Sequence, residues 1–279
     1  MNFLDPKIDF VFKKLFGTIT NKDTLIFFLN SILEKKESEK IIDVKINDPI
    51  NIQDRKLSKE SIVDVRCTDK QNKHYIIEMQ VVKEKDFKAR AQYYTALALS
   101  RQLVAGNPYE MLEPVIFIGI LDFTLFKKET FFSHYIVVDD ETYDETLPHT
   151  EYYFMELPKF TKTIAEIITF REKWAYFFKY AKNFTSIPEL FEQSNFNQAF
   201  DVLAESNWSR EERETYDRII HAERCRQSEI KTAIEDALLE GKTEEKINIA
   251  KEMLKEKLNI ELISKVTGLT IEEIKTIKE

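Results

Sequence analysis

The sequence predicts an α/β fold, a mixed β-sheet flanked by helices with a helical C-terminal extension. Three stretches carry that prediction. Residues 61–81, SIVDVRCTDKQNKHYIIEMQV, alternate in character on either side of a polar turn, the pattern of a β-hairpin. Residues 114–123, PVIFIGILDF, are nearly continuous in apolar side chains and suit a central strand covered on both faces. Helical spacing of apolar residues precedes the hairpin and dominates from Lys162 onward.

Taken in order, Asp5 and Pro6 read as a cap and a first-turn proline, opening a helix that runs through Phe16 and stops at Gly17. A second helix starts near Asn21 and buries Leu25, Phe28, Leu29 and Ile32. Ile41 to Asp48 reads as a strand, followed by a polar loop ending near Lys59, and then the hairpin. Glu84 to Ala105 reads as a helix ended by Gly106-Asn107-Pro108. Further strands fit Phe132 to Val138 and Tyr152 to Leu157, where Tyr152, Tyr153 and Phe154 lack the basic interleaving of a base-stacking surface. An aromatic stripe of Ile164, Ile167, Ile168, Trp174, Phe177 and Phe178 closes the core. Ser186-Ile187-Pro188 leads to a short helix. A charged helix then runs from Ser209, with Ser209 and Glu212 as a capping box, to about Glu240.

The hairpin carries the chemistry. Val63, Val65 and Cys67 point one way and Asp64 and Arg66 the other; Tyr75, Ile77 and Met79 oppose Ile76, Glu78 and Gln80. Each strand is expected to bury one side and show its acid on the other. Centring the turn on Gln71 sets Asp64 directly across from Glu78, side-chain roots ~5 Å apart. Like charges so placed repel, and a hard divalent cation such as Mg²⁺ or Mn²⁺ removes the penalty. The same pattern equally suits two acids on a solvated face that never meet.

Asp64, followed on the next strand by Glu78-Met79-Gln80, resembles the PD-(D/E)XK nuclease core, with Gln80 in the lysine position. Together with DFVFKKLFG at residues 9–17 and a following helix with Arg90 and Tyr94, it is similar to the Rpn family of recombination-promoting nucleases and transposases. The resemblance covers roughly residues 1–180 well. It implies a metal-dependent DNA endonuclease associated with recombination or transposition. Catalytic residues would be Asp64, Glu78, Gln80 and Asp9; Asp64, Glu78 and the Met79 carbonyl would hold Mg²⁺, with Mn²⁺ or Ca²⁺ as substitutes; Arg90, Tyr94 and Lys13 would contact DNA. Asp9 also fits a plain first-turn acid favoured by the helix dipole, and Arg90 and Tyr94 fit ordinary sheet-covering side chains. Gln80 can orient water but cannot carry charge or act as a base. That departure leaves a second reading, a weakly active nuclease-fold protein serving as a DNA-binding or regulatory partner.

The organisation expected is a nuclease-like domain over 1–185, a helical connector over 186–241 and a helix-turn-helix-like module over 242–279. The module turns at Thr267-Gly268-Leu269, and Thr270 caps its second helix through Glu273. That helix pairs Glu272 and Glu273 with Lys275 and Lys278, which favours an interaction or oligomerisation role over base reading. Tyr216, Ile219, Ile220, Ile230, Ile234, Ala237 and Leu238 recur at three and four, which suits packing on a partner helix in the same chain or in a second subunit; a homo-oligomer is the expectation preferred, beside a solvated linker helix. The formal charge of −8 divides unevenly: 19 Lys and Arg face 16 Asp and Glu over residues 1–110, against 22 and 33 over the rest. The catalytic half is thus the mildly basic one. The 279 residues, 43% hydrophobic and 32% charged, can bury a full core. No apolar run approaches the ~20 residues of a membrane span, no leader pattern is seen, and Cys67 and Cys225 make no ligand spacing, so a cytoplasmic setting is expected. The four His residues stand in no nucleophile or metal motif, and no Gly-rich phosphate loop is present; neither a zinc enzyme nor an NTPase is supported.

Overall fold

The computed structural model describes residues 2–47, 63–192 and 195–277. The expected loop ending near Lys59, the end of the first strand at Asp48, Ser61 and Ile62 of the hairpin, and Lys278 lie outside them. The chain forms two compact units, Met1–Ser209 and Arg210–Glu279.

Unit one contains a six-stranded sheet in the order β1-β2-β3-β4-β6-β5, built from β1 (Val44–Asn47), β2 (Val65–Asp69), β3 (His74–Gln80), β4 (Val115–Leu121), β5 (Phe132–Val138) and β6 (Thr146–Glu156). The hairpin pairs antiparallel, while β3, β4 and β6 run parallel. The turn is closed by Asp69, whose Oδ1 accepts the Gln71 and Lys73 amides at 2.8 and 3.0 Å. Parallel neighbours need a crossover, and that crossover is α3 (Phe87–Ser100), which lies on one face of the sheet. There Phe87, Ala91 and Ala98 pack with Ile76, Val115, Phe117 and Phe154.

Helices α1 (Asp9–Phe16), α2 (Lys22–Leu33), α4 (Phe170–Tyr180), α5 (Glu189–Glu192) and α6 (Asn197–Leu203) form an aromatic layer. Trp174 stacks against Phe178 at 5.7 Å and meets Phe196 at 4.4 Å, while Phe16 meets Phe28 at 4.8 Å. Residues 186–203, read as the start of a connector, join this layer because Phe191, Phe196 and Phe200 are fully buried there.

Several local expectations are corrected. The first helix starts at Asp9, since Asp5 caps a preceding turn: its Oδ1 accepts the Lys7 amide and its carbonyl the Ile8 amide. The helix expected over Glu84–Ala105 is shorter at both ends; beyond it, the Asn107 side chain accepts the Val104 amide at 2.9 Å. Strand β6 begins at Thr146 rather than Tyr152, pairing with β5 through a register shift at Ile136 and Val137. Trp174, Phe177 and Phe178 are buried as expected, but Ile164 and Ile168 are 44% and 82% exposed. They precede α4, whose start is fixed at Thr169 by a capping box with Glu172.

Unit two comprises α7 (Arg210–Lys255), α8 (Ile260–Thr267) and α9 (Ile271–Thr276). α7 continues some fifteen residues past its expected end near Glu240. Gly268 ends α8 at φ 73°, a left-handed cap that glycine adopts without steric cost. Thr270 and Glu273 form the reciprocal cap expected of α9, and Ala250, Ile263, Leu269 and Ile274 make a small core. Among the described residues no helix is long and apolar enough to cross a membrane.

Candidate active site

Within the hairpin Val65 pairs with Ile77 and Arg66 with Ile76. Continued by one residue, that register faces Asp64 with Glu78, the pairing set by a turn centred on Gln71. Pairing partners share a face, so Asp64, Arg66 and Thr68 lie on the same side as His74, Ile76, Glu78 and Gln80, which is the side covered by α3. Here the structure corrects the expectation of exposed acids. Strand β3 is interior, with β2 and β4 as neighbours, and Glu78 is only 3% exposed.

Each acid is anchored through one oxygen. Asp64 Oδ2 accepts the Met79 amide at 2.7 Å, and Glu78 Oε2 accepts the Gln80 side-chain amide at 2.9 Å. Glu78 Oε1 is buried and meets no hydrogen-bond donor among the described residues. Burial, the Glu78 charge and a hydrogen bond with Asp9 push Asp64 up to about 8. Burial pushes Glu78 up to about 7, against the favourable charge of Arg90. Two carboxyls whose surroundings favour the protonated form are held side by side.

Helix α1 supplies Asp9 and Lys13 one turn apart. The Lys13 ammonium lies 2.8 Å from Asp9 Oδ1 and 3.9 Å from Asp64 Oδ1, at the acid pair. From α3, Arg90 pairs with Glu84, while its second guanidinium nitrogen is buried with no partner among the described residues. Tyr94, one turn on, is half-buried and feels the charges of Arg90, Glu78 and Asp64; burial raises its phenol. Asp9, Lys13, Asp64, Glu78, Gln80, Arg90 and Tyr94 thus gather around one end of β3. Arg101 stands at the other end of α3, in a depression with Arg66 and His74.

Gly119 escaped sequence reading. It is the β4 partner of Glu78, and a Cβ there would sit 3.0 Å from a Phe154 ring carbon. Only knowledge of the parallel β3–β4 register reveals it.

Among the described residues no three or more His, Cys, Asp or Glu side chains converge to hold a metal. Two carboxylates nonetheless fit a hard cation that keeps several waters. The Glu78 oxygen without a donor among the described residues and the weakened acidity of both carboxyls are what such a donor pair shows without its ion.

A family model described as PD-(D/E)XK nuclease family transposase matches residues 6–233, and one described as Rpn/YhgA-like nuclease family, C-terminal HTH domain matches residues 243–279. Neither the curated proteins nor the solved structures hold a significant match. With more than three-quarters of its length under the first family model, and with Asp64 and Glu78 adjoining on its mixed sheet, the chain belongs to the PD-(D/E)XK nuclease family transposases, of the Rpn/YhgA-like kind.

Proposed function

We propose that the protein is a divalent-metal-dependent DNA endonuclease acting in recombination or transposition, with Asp64 and Glu78 as its metal-holding acids. The observation that carries this is the adjoining pair of half-buried Asp64 and buried Glu78, in which one Glu78 oxygen meets no donor among the described residues. Asp64, Glu78 and the Met79 carbonyl would hold Mg²⁺, with Mn²⁺ or Ca²⁺ as competitors. When bound, such an ion supplies Lewis acidity to the phosphoryl group and raises the acidity of a water.

The chain's own residues do the rest. The Met79 amide fixes the rotamer of Asp64, and Gln80 fixes Glu78. With its N–H₂ donating to Glu78, Gln80 keeps its carbonyl oxygen as an acceptor to orient the attacking water or DNA hydroxyl. The positive charge absent from Gln80 comes from Lys13, close to Asp64, to offset charge developing on the phosphate. Asp9 positions Lys13 by its ion pair. Arg90 and Tyr94 line the approach of the DNA backbone.

The test is nicking of supercoiled plasmid by purified protein across Mg²⁺, Mn²⁺ and Ca²⁺. Asp64→Asn and Glu78→Gln should each lower the Mg²⁺-dependent rate by 10³-fold or more, by the magnitude expected for losing a charge-stabilising group. Wild-type-like cutting by either folded variant would reject the site. The C-terminal module adds DNA affinity, and the exposed Ile230, Ile234 and Leu238 of α7 serve self-association.

A further inference from the structure

The α3 face of the hairpin carries a second polar feature at the end opposite the acids. A depression of about 530 Å³ is lined by Arg66 and Thr68 of β2, His74 of β3, Arg101 and Gln102 just beyond α3, and Glu113. Arg66 is the next residue but one from Asp64 on the same face, and His74 is four residues from Glu78 along β3. At ~3.3 Å per residue, the two ends lie on the order of 13 Å apart.

Helix α3 spans that distance. Its buried residues are Phe87, Ala91, Thr95 and Ala98, and beside them runs a half-exposed stripe of Arg90, Tyr94, Leu97 and Arg101. Arg90 and Tyr94 stand at the acids and Arg101 at the depression, so one helix edge offers cationic groups at both ends of one track.

The lining is prepared as a donor set. The Asn47 side-chain amide donates to Thr68 Oγ1 at 2.8 Å, and Thr68 Oγ1 lies 3.2 Å from His74 Nδ1. Burial, then the Arg66 charge, keep His74 below its ordinary value and therefore neutral. Gln102 is spent on the loop: its amide donates to the Glu113 carbonyl at 2.9 Å and its oxygen accepts the Glu113 amide at 2.7 Å. Two guanidiniums and an imidazole therefore line the space, with Glu113 as the acid among its described lining residues. Guanidinium forks match phosphate oxygens.

We infer that this Arg66–His74–Arg101 depression is a second phosphate site, which seats a backbone phosphate of the same DNA whose reacting linkage lies at Asp64 and Glu78. The inference rests on the nuclease reading above. At ~3.4 Å rise per nucleotide, the separation corresponds to about four steps of duplex. The site holds the substrate along the α3 edge and sets how much DNA flanking the cut is engaged.

The test is binding of the full chain to a fluorescent DNA duplex in Ca²⁺ over a series of salt concentrations, with single-turnover cleavage in Mg²⁺ alongside. Arg66→Ala and Arg101→Ala should each weaken binding ~3- to 30-fold regardless of DNA sequence, and reduce the log–log salt slope by about one. Cleavage at saturating DNA should stay at the wild-type rate, the loss appearing as a higher DNA requirement. Arg101→Lys should recover the salt slope. Glu113→Gln, which keeps the main-chain bonds to Gln102, should tighten binding, an effect opposite in sign to structural damage. Unchanged affinity and slope in the alanine variants, or weaker binding by Glu113→Gln, overturns the second site while leaving the cleavage reading intact. A wild-type chain that neither binds nor cuts removes both.

Discussion

At the scale of single residues, Asp64 and Glu78 govern both chemistry and stability. Their folded carboxyls hold protons that the unfolded chain releases near its ordinary carboxylate range. Where the folded state binds more protons, stability falls as pH rises. The metal-free protein should therefore lose stability from about pH 4 up to about pH 8, the loss becoming complete above the raised values. Asp64→Asn should flatten that dependence and stabilise the metal-free protein at pH 8 on the order of 1 kcal/mol or more, read from urea unfolding at several pH values. A variant with the wild-type pH profile would show that the acids are not the source. Lys13 gives a second prediction at this scale. Lys13→Ala should slow cleavage by about 10²-fold or more. Adding Gln80→Lys, which returns a cation to the strand, should recover part of the rate in the double variant. Lys13 was read only as a DNA contact, because its proximity to Asp64 depends on how α1 packs, and packing is invisible to a motif.

At the scale of elements, the hairpin was the most legible part. Its alternation and polar turn fixed a register that the strands adopt, and with it the meeting of Asp64 and Glu78. The burial of that pair was not legible, since alternation describes one sheet face at a time and says nothing of which helix lands on it. Helix ends were misread where a side chain other than the expected one made the cap: Asp5 forms a turn, and Thr169 starts α4. The packing under α3 depends on Gly119, and Gly119→Ala should destabilise by roughly 1–3 kcal/mol through its clash with Phe154 and Phe117, measured by thermal or denaturant unfolding. Trp174, which touches aromatics of α2 and α4 and Phe196 at the start of α6, should cost about 3–5 kcal/mol on replacement by alanine.

At the scale of the whole molecule, the chain divides at Ser209 into a sheet-bearing unit and a helical one. Composition foretold the helical character of the second, and the Gly268 turn with its Thr270 cap foretold the helix pair. The point of division was not legible, because residues 186–203 have a connector's spacing yet bury three phenylalanines in the first unit. A protein ending at Ser209 should fold cooperatively and retain metal-dependent nicking, with weaker binding to duplex DNA than the full chain, compared by circular dichroism, plasmid nicking and anisotropy. One ending at 185 should not fold, because it strips Phe191, Phe196 and Phe200 from the aromatic layer.

The buried oxygen of Glu78 that no donor among the described residues reaches has a further effect. An acid pair whose surroundings favour the protonated form has to expel hydrogen ions into the solvent as the cation enters. Titration with Mg²⁺ near pH 7 should acidify a weakly buffered solution by about one equivalent, and the heat should change with the ionisation enthalpy of the buffer. The cleavage machinery would then sense alkalinity and ion supply jointly, a gate formed by burying two carboxyls under one helix.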